Sequence, residues 1–472
     1  MSNESPAGIL EKYWGYDSFR PPQEKVIRSV LRNEDTLVLM PTGGGKSICY
    51  QVPALCREGL CIVVSPLIAL MNDQVYQLRK RNVPAAAVHS GMSYSDIDRI
   101  LDNCIYGQTR LLYLSPERLS TDLAQERISR MNVNLLAVDE AHCISQWGYD
   151  FRPAYLEIAQ IRELIPDTPL LALTATATPT VAEDIQDKLE FRKAHLIKSS
   201  FHRPRLAYVV LEEEGKFSKI KKILDGVPGP SIVYVRSRRG TKEIAARLKR
   251  EGLSADFYHA GLDTESRDAK QTAWIRGEVR IMVATNAFGM GIDKSNVRSV
   301  IHHDPPDSLE AYFQEAGRAG RDGKKAYAIL LYHGSDRIRL ERQFSRSYPE
   351  IEEVKRVYRA LGSYFQLAVG AGKGESFDFD LTEFGRTYDL DTLTTYHALR
   401  ILEQSGFIVL TEAVYVPATL MVRIGKEELY DYLLKNAKLD KLLKTILRTY
   451  QGAFKHHVRI REKQLARFLK IS

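Results

Sequence analysis

The chain has 472 residues, 44% of them hydrophobic and 27% charged, which at roughly 100–200 residues per domain makes room for several domains and excludes general disorder. Its 67 basic and 59 acidic residues leave a formal net charge of +8, permitting a polyanionic partner without requiring one. The start MSNESPAGILEKYW has no basic region followed by an apolar block, and the apolar run 61–71 is broken by Ser65 and Pro66, so neither a secretory leader nor a membrane span is expected.

These features predict a soluble, cytoplasmic protein, nucleoid-associated if bacterial. Five cysteines, Cys49, Cys56, Cys61, Cys104 and Cys143, are odd in number and lack C-x-x-C spacing. They are read as buried free thiols of a reducing compartment.

From about residue 35 to 330, short β-branched apolar runs alternate with helical patterns: TLVLM, LCIVVSP, RLLYLSP, NLLAVDE and PLLALTAT, then SIVYVRS, VRIMVAT and VRSVIHHD. Such runs, bounded by Gly, Pro, Ser or Asp, are the pattern of βαβ units around a parallel sheet buried on both faces. The fold class is α/β. A basic, proline-containing segment followed by an acidic loop, SSFHRPRLAYVVLEEEGK, divides the pattern into two lobes, 1–207 and 208–335.

Beyond these the pattern is helical: a linker over 336–374, then helix, turn, helix and a hairpin of FIVL and VYVP about 411–413, the order of a winged helix over 375–425. A basic helical tail fills 426–472. Residues 435–472 carry eleven Lys or Arg against Asp440 and Glu462, a net of +9, so residues 1–434 are nearly balanced at −1. Lys435, Lys438, Lys441, Lys444 and Arg448 recur opposite Leu439, Leu442, Leu443, Ile446 and Leu447, predicting an amphipathic helix with one cationic face. That face either binds phosphates or is solvated.

The run TLVLM leads directly into PTGGGKS and then a helical pattern. Anions bind where a strand hands over to a helix N-terminus. There Thr42, Gly43, Gly44 and Gly45 offer a backbone cradle, Lys46 reaches the β and γ phosphates, and the Ser47 hydroxyl can ligate Mg²⁺. Phosphoryl transfer also needs carboxylates at a neighbouring strand end. NLLAVDEAH supplies Asp139 for the metal and Glu140 for positioning and deprotonating the attacking water. Hydrolysis of a nucleoside triphosphate is the expected chemistry.

With these motifs the chain resembles the superfamily-2 helicases, and specifically the RecQ family of DNA helicases. The resemblance implies two RecA-like lobes followed by a winged helix. WGYDSFRPPQ resembles the segment that holds adenine, which implies ATP as the nucleotide, Tyr16 stacked on the base, and Arg20 and Gln23 on its edge. SPLIALMNDQ, YLSPERL and TATAT match strand-end loops of the first lobe, with Thr174 and Thr176 implied to couple nucleotide to nucleic acid. AHCISQWGYDFRPAY, which packs Trp147, Tyr149, Phe151 and Arg152 into one loop, resembles the aromatic-rich loop that senses single-stranded DNA, giving Trp147, Phe151 and Arg152 as DNA contacts. Exposed aromatics with a guanidinium make a stacking platform for bases.

In the second lobe, YHAGL, VATNAFGMGIDK and YFQEAGRAGRDG follow the same order. Arg318 and Arg321 beside Gln314 resemble the pair that reaches the γ-phosphate, Arg321 being the arginine finger; Asp293 is placed toward the ribose. The resemblance implies an ATP- and Mg²⁺-dependent DNA helicase moving 3′ to 5′ on single-stranded and forked DNA, in recombination, replication or repair; the oligomeric state stays open, with a monomer favoured. Two alternatives stay open: a DEAH-type RNA helicase, and a translocase or DNA-binding protein without strand separation. No cysteine lies beyond Cys143, so no zinc is expected in the linker. Tyr415, near the expected hairpin tip, is either a strand-separating wedge or a cross-strand packing residue. The chain ends inside a helical pattern, KQLARFLKIS, as a fragment of a longer protein would.

Overall fold

The computed structural model describes residues 4–89, 91–146, 151–289, 294–368, 370–372, 375, 377–410, 419–422, 429, 432, 437–450, 458–459, 465 and 469. Trp147, Tyr149, Asp293 and Tyr415 lie outside them. The chain forms two compact units, Met1–Phe344 and Ser345–Ser472.

The first unit holds two parallel sheets. In the first lobe, β1 (Thr36–Leu39), β2 (Leu60–Val64), β3 (Ala85–Val88), β4 (Leu111–Leu114), β5 (Val133–Val138), β6 (Leu170–Thr174) and β7 (Leu196–Lys198) lie in the order β3-β4-β2-β5-β6-β1-β7. The inner strands are buried on both faces because helices cover both sides of a parallel sheet. Two apolar clusters divide the burial, one holding Ile62, Leu112, Leu136 and Ala172, the other Val38, Val63, Ala137 and Leu171. Alternate residues of the same strands feed opposite clusters, as the two-residue period of a strand requires.

In the second lobe, β8 (Leu206–Glu212), β9 (Ser231–Tyr234), β10 (Ala255–Tyr258), β11 (Ile281–Ala284), β12 (Ser299–His302) and β13 (Ala326–Tyr332) lie in the order β10-β11-β9-β12-β13-β8. β8 enters this sheet at Leu206, paired with Ala326, two residues before the expected lobe boundary. Asp35, just before β1, has a fully buried side chain. It is bonded by Arg162 at 2.7 Å and Arg192 at 2.9 Å, and accepts from the Leu170 N–H at 2.9 Å. Ends of three separate segments are thereby pinned to one carboxylate.

The second unit packs helices Ile351–Tyr364, Leu381–Thr387 and Thr392–Gln404 around Val357, Phe384, Ala398 and Leu399. Asp380 and Asp391 cap the last two, accepting from Glu383 N–H and Thr394 N–H, so the expected helix, turn and helix are present. The expected strand FIVL is not formed: residues 407–410 run without strand pairing. The Leu410 N–H is taken by the Glu403 side chain at 3.0 Å, and Ile408 and Leu410 pack on the helical core instead. The hairpin partner VYVP lies outside the described residues. A short antiparallel pairing joins Thr419–Leu420 to Val458–Arg459. Helix Ala437–Thr449 exposes Lys441, Lys444 and Arg448 while Ile446 is buried.

Candidate active site

β1 runs into the loop 41–47 and the loop into helix Ile48–Cys56. Gly43 (φ +78°) and Gly45 (φ +79°) adopt the left-handed region, which glycine enters without a Cβ penalty. Those turns bend the backbone around the mouth of the helix, whose first N–H groups have no intrahelical acceptor. Lys46 extends from the loop so that its Nζ stands 3.7 Å from Glu140 Oε1, both side chains mostly buried.

Asp139 and Glu140 leave the end of β5 beside this lysine. Glu140 is a left-handed non-glycine residue (φ +47°), a conformation costing about 1–3 kcal/mol that tends to mark functional sites. The turn directs its carboxylate back toward Lys46 at one oxygen and His142 Nδ1 at the other, 3.4 Å away. Burial raises the Asp139 pKa and neighbouring Glu140 raises it further. Burial opposes charge on Glu140 as well, but Lys46, His142 and Arg318 outweigh it and hold that carboxylate below its ordinary value. The two acids are thus set apart by environment, one disposed to share a proton or cation and one held ionised.

His142 also bonds Thr174 Oγ1 at 2.8 Å, and Thr174 donates to the Thr176 carbonyl at 3.1 Å. These contacts join the DEAH turn to the TATAT loop at the end of β6. His142, absent from the expected site, was detectable as the last residue of that turn.

From the second lobe, helix Leu309–Ala316 carries buried Gln314 and ends before Arg318 and Arg321, which sit in successive turns rather than on a helix face. Arg318 is buried, donates to the Gly289 carbonyl and lies close enough to Glu140 to bias its charge. Arg321 lies against Gly43: a Cβ there would meet its Cγ at 2.9 Å. A Cβ on Gly317 would run into Thr42 Oγ1, so glycine at both positions lets the lobes approach. Thr42 Oγ1 is itself buried and has no hydrogen-bond partner among the described residues.

The structure brings together Thr42 to Ser47, Asp139, Glu140, Arg318 and Arg321. The expected adenine-binding residues differ in exposure. Tyr16 is half exposed and Arg20 exposed, whereas Gln23 is buried, accepts from the Arg20 N–H at 2.9 Å and donates to the Gly45 carbonyl at 3.1 Å. Gln23 therefore braces the phosphate loop from behind. Phe151 and Arg152 are half-buried, and Arg152 donates to the Pro66 carbonyl at 3.1 Å, tying the loop after DEAH to SPLIALMNDQ.

The donor set fits a nucleotide with a divalent cation: a glycine cradle ahead of a helix, a weakly engaged lysine, a hydroxyl at Ser47 and a partly buried carboxylate at Asp139. Two parallel-sheet lobes with this loop on one and paired arginines on the other define the two-lobed architecture of the DEAD/DEAH-box class. The family models agree: DEAD/DEAH box helicase matches residues 20–185, the helicase conserved C-terminal domain 215–323, and the RecQ helicase winged-helix domain of Bacteroidota 420–472.

The chain belongs to the RecQ family. It is 39% identical over 357 residues to the probable ATP-dependent DNA helicase RecS of Bacillus subtilis, a match covering 75% of this chain and 72% of that one. It is 45% identical over 329 residues to the ATP-dependent DNA helicase RecQ of Pasteurella multocida, covering 70% of this chain but only 52% of the relative. The chain thus spans about half the length of that relative. Among solved structures, Mycobacterium smegmatis helicase Lhr bound to ssDNA and AMP-PNP is similar in fold, with a TM-score of 0.58 at 21% identity over 70% of this chain and 49% of that chain. The winged-helix match falls on the stretch expected to be the basic tail and beyond most of 375–425.

Proposed function

We propose that the chain is an ATP- and Mg²⁺-dependent DNA helicase that moves 3′ to 5′ along single-stranded DNA and opens duplexes at forks. Its setting would be the cytoplasm, as a monomer, in recombination, replication or repair. One observation carries the reading: in a chain of this family, Arg318 and Arg321 from one lobe meet the Lys46 loop and Glu140 of the other.

Lys46 would hold the β and γ phosphates, and Glu140, kept ionised, would orient and deprotonate the attacking water. Arg321 would neutralise charge developing on the γ-phosphate. Ser47 and Asp139 would hold Mg²⁺, whose charge, when bound, would offset that of the phosphate oxygens. Because these groups belong to different lobes, their engagement favours a closed arrangement and its loss an open one, and alternation of the two becomes stepping along a strand. His142, Thr174 and Thr176 would carry the state of Glu140 to the strand-end loops that meet DNA. Tyr16, Arg20 and Gln23 would select adenine, Trp147, Phe151 and Arg152 would contact bases, and the winged helix, extending through 420–472, would engage the duplex.

Strand displacement on duplexes with 3′ or 5′ single-stranded tails tests this, with ATP turnover measured beside single-stranded DNA and RNA. Displacement restricted to 3′ tails is expected. Turnover stimulated by DNA without displacement would leave a translocase, the alternative that the lack of cysteines beyond Cys143 keeps in play. Stimulation by RNA alone would overturn the DNA assignment.

A further inference from the structure

Residues 199–205 join the lobes, and both ends of this hinge are fixed. At one end the Ser199 N–H donates to the Leu39 carbonyl at 2.9 Å, at the end of the strand that becomes the phosphate loop. At the other, Leu206 opens β8 against β13. Between them, Arg203 donates from Nη1 to the Gly317 carbonyl at 3.3 Å, and from Nη2 to the carbonyls of Ala319 at 2.7 Å and Gly320 at 2.8 Å. Those three carbonyls bracket Arg318 and immediately precede Arg321. The same hinge lays Phe201 edge-on against Phe313, ring centroids 5.6 Å apart, on the helix leading into the turns.

Three features set this arrangement apart from an ordinary surface contact. Beyond helix Leu309–Ala316 the Gly317, Arg318 and Ala319 N–H groups take the carbonyls of Phe313, Glu315 and Ala316, and the guanidinium bonds the carbonyls of the turns that follow, where a positive charge also favours the helix dipole. The Arg203 fork spans several carbonyls at once, which a lysine ammonium on a flexible stem does not reproduce. Among the described residues no carboxylate pairs with Arg203, and burial works against its charge; every hydrogen bond given for its guanidinium goes to these turns.

We propose that Arg203 is a positioning residue for ATP hydrolysis: by clamping the Gly317, Ala319 and Gly320 carbonyls to the hinge, it sets Arg318 and Arg321 against the phosphate loop. The proposal rests on the reading of the chain as an ATP hydrolase. It makes the hinge part of the catalytic geometry, because a displacement of about 1 Å in the arginine turns costs up to about 100-fold in rate.

The test uses the full chain, with R203A, R203K, R321A and the R203A/R321A double variant. R203A is expected to lower kcat by about 10- to 100-fold while KM for ATP and affinity for a non-hydrolysable ATP analogue stay as in the parent, R203K falling between. In the R321A background R203A is expected to lower kcat by less than it does in the parent, since part of its effect passes through Arg321. An unchanged kcat in R203A, or losses that multiply in the double variant, would overturn the proposal. If R203A does not bind the analogue, R203K is judged by the same criteria in both backgrounds. Hydrogen exchange over 317–322 needs no turnover: faster exchange in R203A is expected, and unchanged exchange overturns the clamp. An inactive parent chain would sink the hydrolase reading, and exchange would still decide the clamp.

Discussion

Arg321 lays its side chain on Gly43 across the gap between two sheets, so closely that a Cβ on residue 43 would stand 2.9 Å from Cγ and 3.0 Å from Cδ. The same glycine holds φ at +78°. One position therefore meets two demands, a backbone turn that L-residues resist and a surface flat enough for an arginine to cross.

Gly43→Ala is expected to break both. The left-handed turn costs about 1–2 kcal/mol for a residue with a Cβ, and the added methyl pushes Arg321 off the loop. Steady-state kinetics should show a fall in kcat of about 100-fold with the fold intact by circular dichroism. Turnover at the parent rate would show that Arg321 does not work from this contact.

Lys46→Ala tests the other side of the site. Its ammonium is the strongest charge favouring ionised Glu140 and stands 3.7 Å from it, so its loss leaves two partly buried carboxylates side by side as well as an unheld phosphate. ATP hydrolysis is expected to disappear while binding of single-stranded DNA, read by fluorescence anisotropy, persists. Retained turnover would refute the assignment of the loop.

Asp35 gives a prediction about stability and pH. Burial opposes its charge, but bonds from Arg192 and Arg162 prevail and hold its carboxyl below the ordinary value. Since the unfolded carboxyl titrates near about 3.9, this stabilisation is fully present above that pH and is lost as pH falls through the lower folded value. Asp35→Asn leaves two arginines facing a neutral amide and is expected to cost about 3–5 kcal/mol at neutral pH. Denaturant unfolding from pH 7 down to 3 should show the gap between parent and variant closing toward acid; a gap independent of pH would assign the loss to packing.

Legibility in the sequence followed burial. β1, β2, β4, β5, β6, β9, β11 and β12 are read directly because inner strands of a parallel sheet are continuous apolar runs; β13, also inner, escapes because Ala326, Tyr327 and Ala328 dilute its run. The four strands at sheet edges, β3, β7, β8 and β10, are not. AAAV and ADFY lack β-branched runs, LIK is three residues long, and LAYVVLE alternates because one face of an edge strand is open, leaving Tyr208 and Val210 exposed. FIVL misleads in the opposite direction, since its apolar residues serve a helical core.

The site divides the same way. PTGGGKS and DEAH announce themselves because their residues act within a few positions of one another. Arg203 does not, for its partners lie 114 to 117 residues further on and nothing in FHRPR points to them. Gln23 shows a third case, in which the residue is found but its side chain in this structure braces the loop.

The last helix converts a compositional excess into a measurable slope. Helix Ala437–Thr449 turns Lys441, Lys444 and Arg448 outward with Ile446 inward, inside the stretch matched by the winged-helix model. If these three side chains each neutralise a phosphate, each contributes about 0.7 to the dependence of log affinity on log salt for single strands. Replacing all three with glutamine should reduce that slope by about 2, and weaken binding similarly across DNA sequences because phosphate contacts carry no base information. Anisotropy titrations over a series of salt concentrations measure both. An unchanged slope would make the face a solvated one and move the grip on DNA entirely to the strand-end loops of the two lobes.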